Sequence, residues 1–141
     1  MAAGALVQEL GSDAGLVDVS SAGTGAWGGE RATAEAIEVA ARDGVDLEDH
    51  RSQRATAEAV QSADLVLVME RSHLAAAGKL GADPTRTFVL SEWPEPGEPE
   101  LAISDPFGGS MEAYEECWRR IRRHVRRIAP HVLEAARRRS V

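Results

Sequence analysis

Ala63-Asp64-Leu65-Val66-Leu67-Val68-Met69 holds a continuous apolar run from Leu65, bounded by Gln61-Ser62 before it and Glu70-Arg71 after it. Its length and its branched residues suit a strand buried on both faces, as in a parallel sheet. Downstream, residues 71–79 carry a helical pattern and Thr87-Phe88-Val89-Leu90 reads as a second short strand. Upstream, Thr56 caps a short helix that runs to about Gln61. Residues 31–43 form a longer helix with Ala32, Ala36, Ile37, Val39 and Ala40 on one face, and Gly44 ends it. Leu16-Val17-Asp18-Val19-Ser20-Ser21 alternates like a strand, and residues 2–11 read as a short helix stopped by Gly11.

Three segments complete the pass. Residues 22–29 are a Gly-rich loop containing Trp27. Residues 91–109, with Pro94, Pro96, Pro99 and Pro106, form a long loop of the kind that often carries function. Residues 111–138 form a final helix with Tyr114, Cys117, Trp118, Ile121, Val125, Ile128 and Val132 at helical spacing, which Pro130 is expected to kink or divide. Strands alternating with helices define an α/β layered domain with a mostly parallel sheet, and 141 residues make one such domain, spanning 1–141. Domains of this class normally open on a strand whose C-terminal end carries the ligand loop. This chain opens on a helix.

Composition narrows the chemistry. A single cysteine, Cys117, permits no intramolecular disulfide and no zinc site built on several thiolates. His73, His124 and His131 show no metal-ligand spacing with each other or with carboxylates, and no cofactor is implied. No apolar run approaches a membrane span, and residues 1–7 lack the basic lead of a signal peptide, so a cytoplasmic protein with no membrane partner is expected. The net charge of −7 is uneven: residues 1–110 hold 7 basic and 19 acidic side chains, a balance of −12, and residues 111–141 hold 9 and 4, a balance of +5. The basic residues fall on a helical pattern with apolar positions between them, which reads as a solvated helix face and not as a nucleic-acid surface.

Five segments in order carry a resemblance. They are Ser21-Ala22-Gly23-Thr24-Gly25-Ala26-Trp27-Gly28, Gly44-Val45-Asp46-Leu47, His50-Arg51-Ser52-Gln53-Arg54, the run from Asp64 to Leu74, and Asp105-Pro106-Phe107-Gly108-Gly109. Together they resemble the low-molecular-weight protein tyrosine phosphatase family over essentially the whole chain. The resemblance implies a three-layer α/β/α fold whose first, central strand is missing here. It implies a cysteine phosphatase acting on phosphotyrosine proteins or small aryl phosphates. In that family a loop of pattern Cys-x5-Arg cradles phosphate with backbone N–H groups and a helix N-terminus. The same field makes the cysteine a thiolate nucleophile. An Asp from a later loop protonates the leaving phenolate and then activates water to hydrolyse the phosphocysteine.

Residue by residue, Asp105 matches the general acid, and Pro106 restricts it to extended geometry. On Asp-Pro alone a turn opener is the commoner reading; the five-segment match favours the acid. Trp27 and Phe107 match the two aromatic walls around the substrate ring, with Phe107 standing where a tyrosine is often found. Ser21 and His50 match supports of the phosphate loop, His50 being as readily a simple capping residue.

The nucleophile is not matched. The one Cys-x5-Arg in the 141 residues, Cys117 to Arg123, is followed by His124 and not by Ser or Thr, contains no glycine, and lies in the middle of the final helix, where backbone N–H groups are already bonded and cannot cradle phosphate. Met1-Ala2 matches the family's first helix just past the loop, so the nucleophile is expected immediately before Met1. The 141-residue chain is expected to be inactive alone, and aggregation-prone or molten for want of a central strand. A non-catalytic pseudophosphatase that captures partners through Trp27 and Phe107 is the alternative. Arsenate reduction, which uses a relay of several cysteines, is the weaker one.

Overall fold

The computed structural model describes residues 1–25, 27–95 and 103–139. Pro96 and Pro99 of the long loop and Ala26 of the Gly-rich loop lie outside the described residues. The described chain divides into two compact units.

The first unit comprises residues 1–21, 31–50 and 105–141. Its helices are α1 (Ala2–Leu10), α2 (Ala34–Arg42) and, set apart in sequence by the second unit, the long Met111–Arg139 helix called α5 below. α1 and α2 both pack on that long helix. Its buried positions, Tyr114, Cys117, Trp118, Ile121, His124, Val125, Ile128, Ala129 and Val132, recur every three or four residues and form one stripe. α1 contributes Ala5 and Leu10, and α2 contributes Ala36, Val39 and Ala40.

Local chemistry fixes the ends of α2. The Thr33 hydroxyl accepts from Ala36 N–H at 3.3 Å, the expected N-cap. At the other end Gly44 takes φ 80°, a left-handed value that a side chain would resist. There Gly44 N–H donates to Ala41 C=O and Val45 N–H to Ala40 C=O, each at 3.0 Å. The chain then returns past α1 through Val45 and Leu47, both buried. Gly4 permits this contact, since a Cβ there would stand 3.0 Å from Val45 Cγ1 and 3.2 Å from Leu47 Cδ2.

The second unit comprises residues 22–30 and 51–104. It contains α3 (Ala57–Ser62), β1 (Val66–Val68), α4 (Ser72–Lys79) and β2 (Thr87–Val89). Thr56 caps α3 as the sequence predicts, its hydroxyl accepting from Ala59 N–H at 3.2 Å. β1 and β2 are parallel, with Val66, Leu67 and Val68 opposite Thr87, Phe88 and Val89. α4 lies on β2 and buries Ala77. The fold is α/β, rich in helix, with this small parallel sheet.

Three expectations change. The Leu65–Met69 run is half-buried and not buried on both faces, and β1 has β2 as its one sheet neighbour among the described residues. Residues 16–21 form no strand: Gly11–Leu16 winds into a 3-10 turn, and Leu16 is 54% exposed. Alternation is necessary for a half-buried strand but does not supply a partner to pair with. Pro130 does not divide α5, which runs unbroken past it. Burial of Ile128, Ala129 and Val132 on either side holds the helix across the missing N–H.

Candidate active site

The loop Asp105-Pro106-Phe107-Gly108-Gly109-Ser110 leads into α5 and is built by its own hydrogen bonds. Asp105 Oδ1 accepts from Phe107 N–H at 2.9 Å, closing an Asx turn. Gly109 N–H donates to Pro106 C=O at 2.8 Å, with Gly108 at φ 78°. Ser110 Oγ then accepts from Ala113 N–H at 3.2 Å and caps α5. The turn uses one carboxylate oxygen of the exposed Asp105. Phe107 is 78% exposed, which no packing role explains. Asp105 and Phe107 therefore project from one rigid turn, and Tyr114, one turn into α5, packs in the core.

Cys117, within the buried stripe of α5, is 7% exposed, with no disulfide partner. Burial pushes its thiol above the ordinary range, and the negative charge of Asp105 pushes it further the same way. The Met1 amino group and Arg120 act in the opposite sense but do not overcome this. A nucleophilic cysteine needs the reverse shift. Cys117 is a protonated packing residue. The Met1 amine is itself buried, and desolvation lowers its pKa. A helix N-terminus carries unsatisfied N–H groups and a partial positive charge, so the start of α1 favours an anion.

The other matched residues fall elsewhere. Ser21 is exposed at the end of the first segment of the same unit. His50 is half-buried, its backbone N–H donating to Leu47 C=O at 3.2 Å. Trp27 belongs to the second unit, where the Gly-rich loop is tied to residues 51–55 at both ends. Gly23 N–H donates to Gln53 C=O at 2.9 Å and Ala55 N–H to Gly23 C=O at 3.0 Å. At the far end Gly29 N–H donates to Ser52 C=O at 2.7 Å and Ser52 N–H to Glu30 C=O at 2.8 Å, while Ser52 Oγ accepts from Glu30 N–H at 3.0 Å. Gly28 and Gly29, at φ 98° and 78°, make the bend that leaves Trp27 87% exposed. Two of the segments that carry the resemblance thus bond directly to each other.

Sequence reasoning missed the anchor at Asp43. Asp43 Oδ2 accepts the Trp118 indole N–H at 2.6 Å and pairs with Arg122 at 3.0 Å, joining the end of α2 to α5. The position of Asp43 just before the Gly44 stop was the available signal. Among the described residues no group of three or more His, Cys, Asp or Glu could hold a metal ion, and no helix is long and apolar enough to cross a membrane.

The α/β frame and the exposed acidic turn at Asp105 define the class of fold and the candidate site, and comparison with known proteins gives the family. The family model for low molecular weight phosphotyrosine protein phosphatases matches residues 1–139, and the chain belongs to that family. A probable low molecular weight protein-tyrosine-phosphatase, EpsP, of Ralstonia nicotianae is 34% identical over 117 residues, covering 82% of this chain and 77% of that protein. The solved structure of Vibrio vulnificus Wzb in complex with benzylphosphonate superposes with a TM-score of 0.79 at 30% identity, covering 92% of this chain and 87% of that one. A YwlE arginine phosphatase mutant with a phosphorylated active-site serine also gives 0.79, at 31% identity over 93% of this chain and 86% of that one.

Proposed function

We propose that these 141 residues supply the acid–base and ring-binding parts of a cysteine-dependent phosphatase that hydrolyses phosphotyrosine proteins or small aryl phosphates. The observation that carries this reading is Asp105, exposed on a self-bonded turn in the same compact unit as the start of α1. A dianion seated at that helix end would have a carboxylic acid at hand for its leaving oxygen. The first step is thiolate attack on phosphorus with transfer of the Asp105 proton to the departing phenolate. In the second, Asp105, now a carboxylate, takes a proton from water as it attacks the phosphocysteine. By the family resemblance Trp27 and Phe107 are each assigned to the substrate ring, and each is exposed within its own unit; an aromatic face favours a phenyl ester over an alkyl one. Ser21 and His50 support the phosphate loop by hydrogen bonds. The reaction needs no metal and suits the reducing cytoplasm, where the free Cys117 stays a thiol.

The nucleophile of this scheme is not among the 141 residues, since Cys117 is buried and its thiol is held protonated. On this reading the 141-residue chain alone is inactive. A version extended at its N-terminus by a strand and a Cys-x5-Arg-Ser-Pro loop turns over p-nitrophenyl phosphate. In that version Asp105→Asn lowers kcat by about 10²- to 10⁴-fold for poor leaving groups, and less for p-nitrophenolate, which scarcely needs a proton. An Asp105→Asn enzyme with unchanged kcat on phenyl phosphate would remove Asp105 from the mechanism. Phosphoarginine belongs in the same assay, because the similarity to YwlE arginine phosphatase brings a second phosphorylated side chain into consideration. Turnover of phosphoarginine in preference to phosphotyrosine would reassign the substrate and leave the scheme intact.

A further inference from the structure

A groove of about 440 Å³ runs between α2 and α5 in the first unit. Arg42 of α2 and Arg119, Arg122, Arg123 and Arg126 of α5 line it, five guanidinium groups against the two carboxylates of Asp43 and Glu115. Its volume lies in the range of small-ligand sites. Asp105 and Cys117 are not among its lining residues.

Charge along α5 is concentrated where the groove runs. Residues 119–127 contain six arginines and no carboxylate. On the helical surface Arg123 has Arg119, Arg120, Arg126 and Arg127 as its neighbours three and four residues away, and like charges so placed destabilise a helix. Asp43 and Glu115 line the groove with the arginines, and Glu38, Glu116 and Glu9 pair with its arginines from outside. Asp43 shares one oxygen between Trp118 and Arg122. Glu115 pairs with Arg42, which also holds Glu38. Glu116 holds Arg119 and Arg120, and Glu9 comes only within 3.9 Å of Arg126. Exposed pairs of this kind are marginal in water, and a guanidinium has five donors, so one carboxylate does not exhaust it. A phosphate group forms shorter, charge-assisted forked bonds with the same arginines. From Arg119 to Arg126 is two helical turns, about 10 Å along the axis. One orthophosphate cannot bridge that row, whereas a chain of linked phosphates can.

We propose that the α2–α5 groove binds an oligophosphate chain, gripped by Arg119, Arg122, Arg123 and Arg126 with Arg42 on the opposite wall. The chain could arrive as inorganic oligophosphate or as the triphosphate of a nucleotide, and both present the same row of anionic groups. Binding relieves the like-charge crowding on α5 and is separate from the chemistry at Asp105.

Isothermal titration of the 141-residue chain with tripolyphosphate, ATP and orthophosphate, at physiological salt, tests this. Tripolyphosphate is expected to bind with orthophosphate at least about tenfold weaker, and Arg119→Gln/Arg123→Gln to weaken tripolyphosphate by about tenfold or more. Both positions are exposed, so the variant should fold. Circular dichroism confirms that it does, and Arg137→Gln/Arg138→Gln, outside the groove, serves as the control that binds normally. Binding of tripolyphosphate alone assigns the site to the inorganic chain, and equal binding of ATP assigns it to the phosphate chain in either source. The proposal is overturned by no binding, by ATP binding without tripolyphosphate, or by tripolyphosphate binding that a folded Arg119→Gln/Arg123→Gln variant retains.

Discussion

Asp43 stands at the junction of two helices and holds both with one oxygen. The carboxylate satisfies the Trp118 indole at 2.6 Å and the Arg122 guanidinium at 3.0 Å. Asp43→Ala leaves a buried N–H donor without its acceptor and is expected to cost about 1–3 kcal/mol in urea unfolding. Asp43→Asn, which keeps one acceptor, should cost less. Equal stability of the alanine variant would show that water replaces the carboxylate at no cost. Cys117 supports a pH prediction. Its folded-state pKa is raised by burial and by Asp105, so the folded chain holds the proton longer than the unfolded chain. Stability from this source is full below the ordinary thiol pKa, about 8.5, and falls as pH rises through the folded value. Wild type should therefore lose melting temperature faster than Cys117→Ala between neutral and alkaline pH, and parallel curves would refute the shift. The inward position of Cys117 was legible from its spacing with Tyr114 and Ile121. Its electrostatic link to Asp105 was not, because that depends on where the Asp105 turn lies in space, which no local pattern contains.

At the scale of elements, α2 illustrates what a sequence specifies well. Thr33 and Gly44 mark its ends by side-chain oxygen and by left-handed backbone, both local chemistry. Thr33→Ala should cost about 1 kcal/mol in a thermal or urea melt. β1 illustrates the opposite case. Its residues have strand character, but the run from Leu65 to Met69 is only half-buried, with one hydrogen-bonded neighbour among the described residues. How many partners a strand has is a property of distant segments, which no local pattern contains. Amide hydrogen exchange should accordingly be faster for Val66–Val68 than for Ile121–Val125 in the buried stripe of α5. Equal protection would mean that β1 is covered in solution. Residues 16–21 taught the same lesson, since alternation there found no ladder. Pro130 marks another limit. Its cost to a helix is intrinsic, but the buried residues around it outweigh that cost.

For the whole molecule, the charge division read from the sequence, −12 for residues 1–110 and +5 for residues 111–141, has a structural counterpart in the arginine-lined groove. Family membership was legible because five short segments occur in order, and the structure gives two of them a physical reason, the Gly-rich loop being stitched to residues 51–55. The turn at Asp105 and Phe107 exposes both side chains, which their proposed roles require and which the sequence did not by itself indicate. The central claim is that the acid and ring-binding residues lie within these 141 residues and the nucleophile does not. Release of p-nitrophenol from p-nitrophenyl phosphate tests it most directly, comparing the 141-residue chain with the version extended by a Cys-x5-Arg loop. The account predicts no release above buffer for the first, and release for the second that stops when the loop cysteine is replaced by serine. Steady turnover by the 141-residue chain itself, abolished by Cys117→Ser, would contradict it.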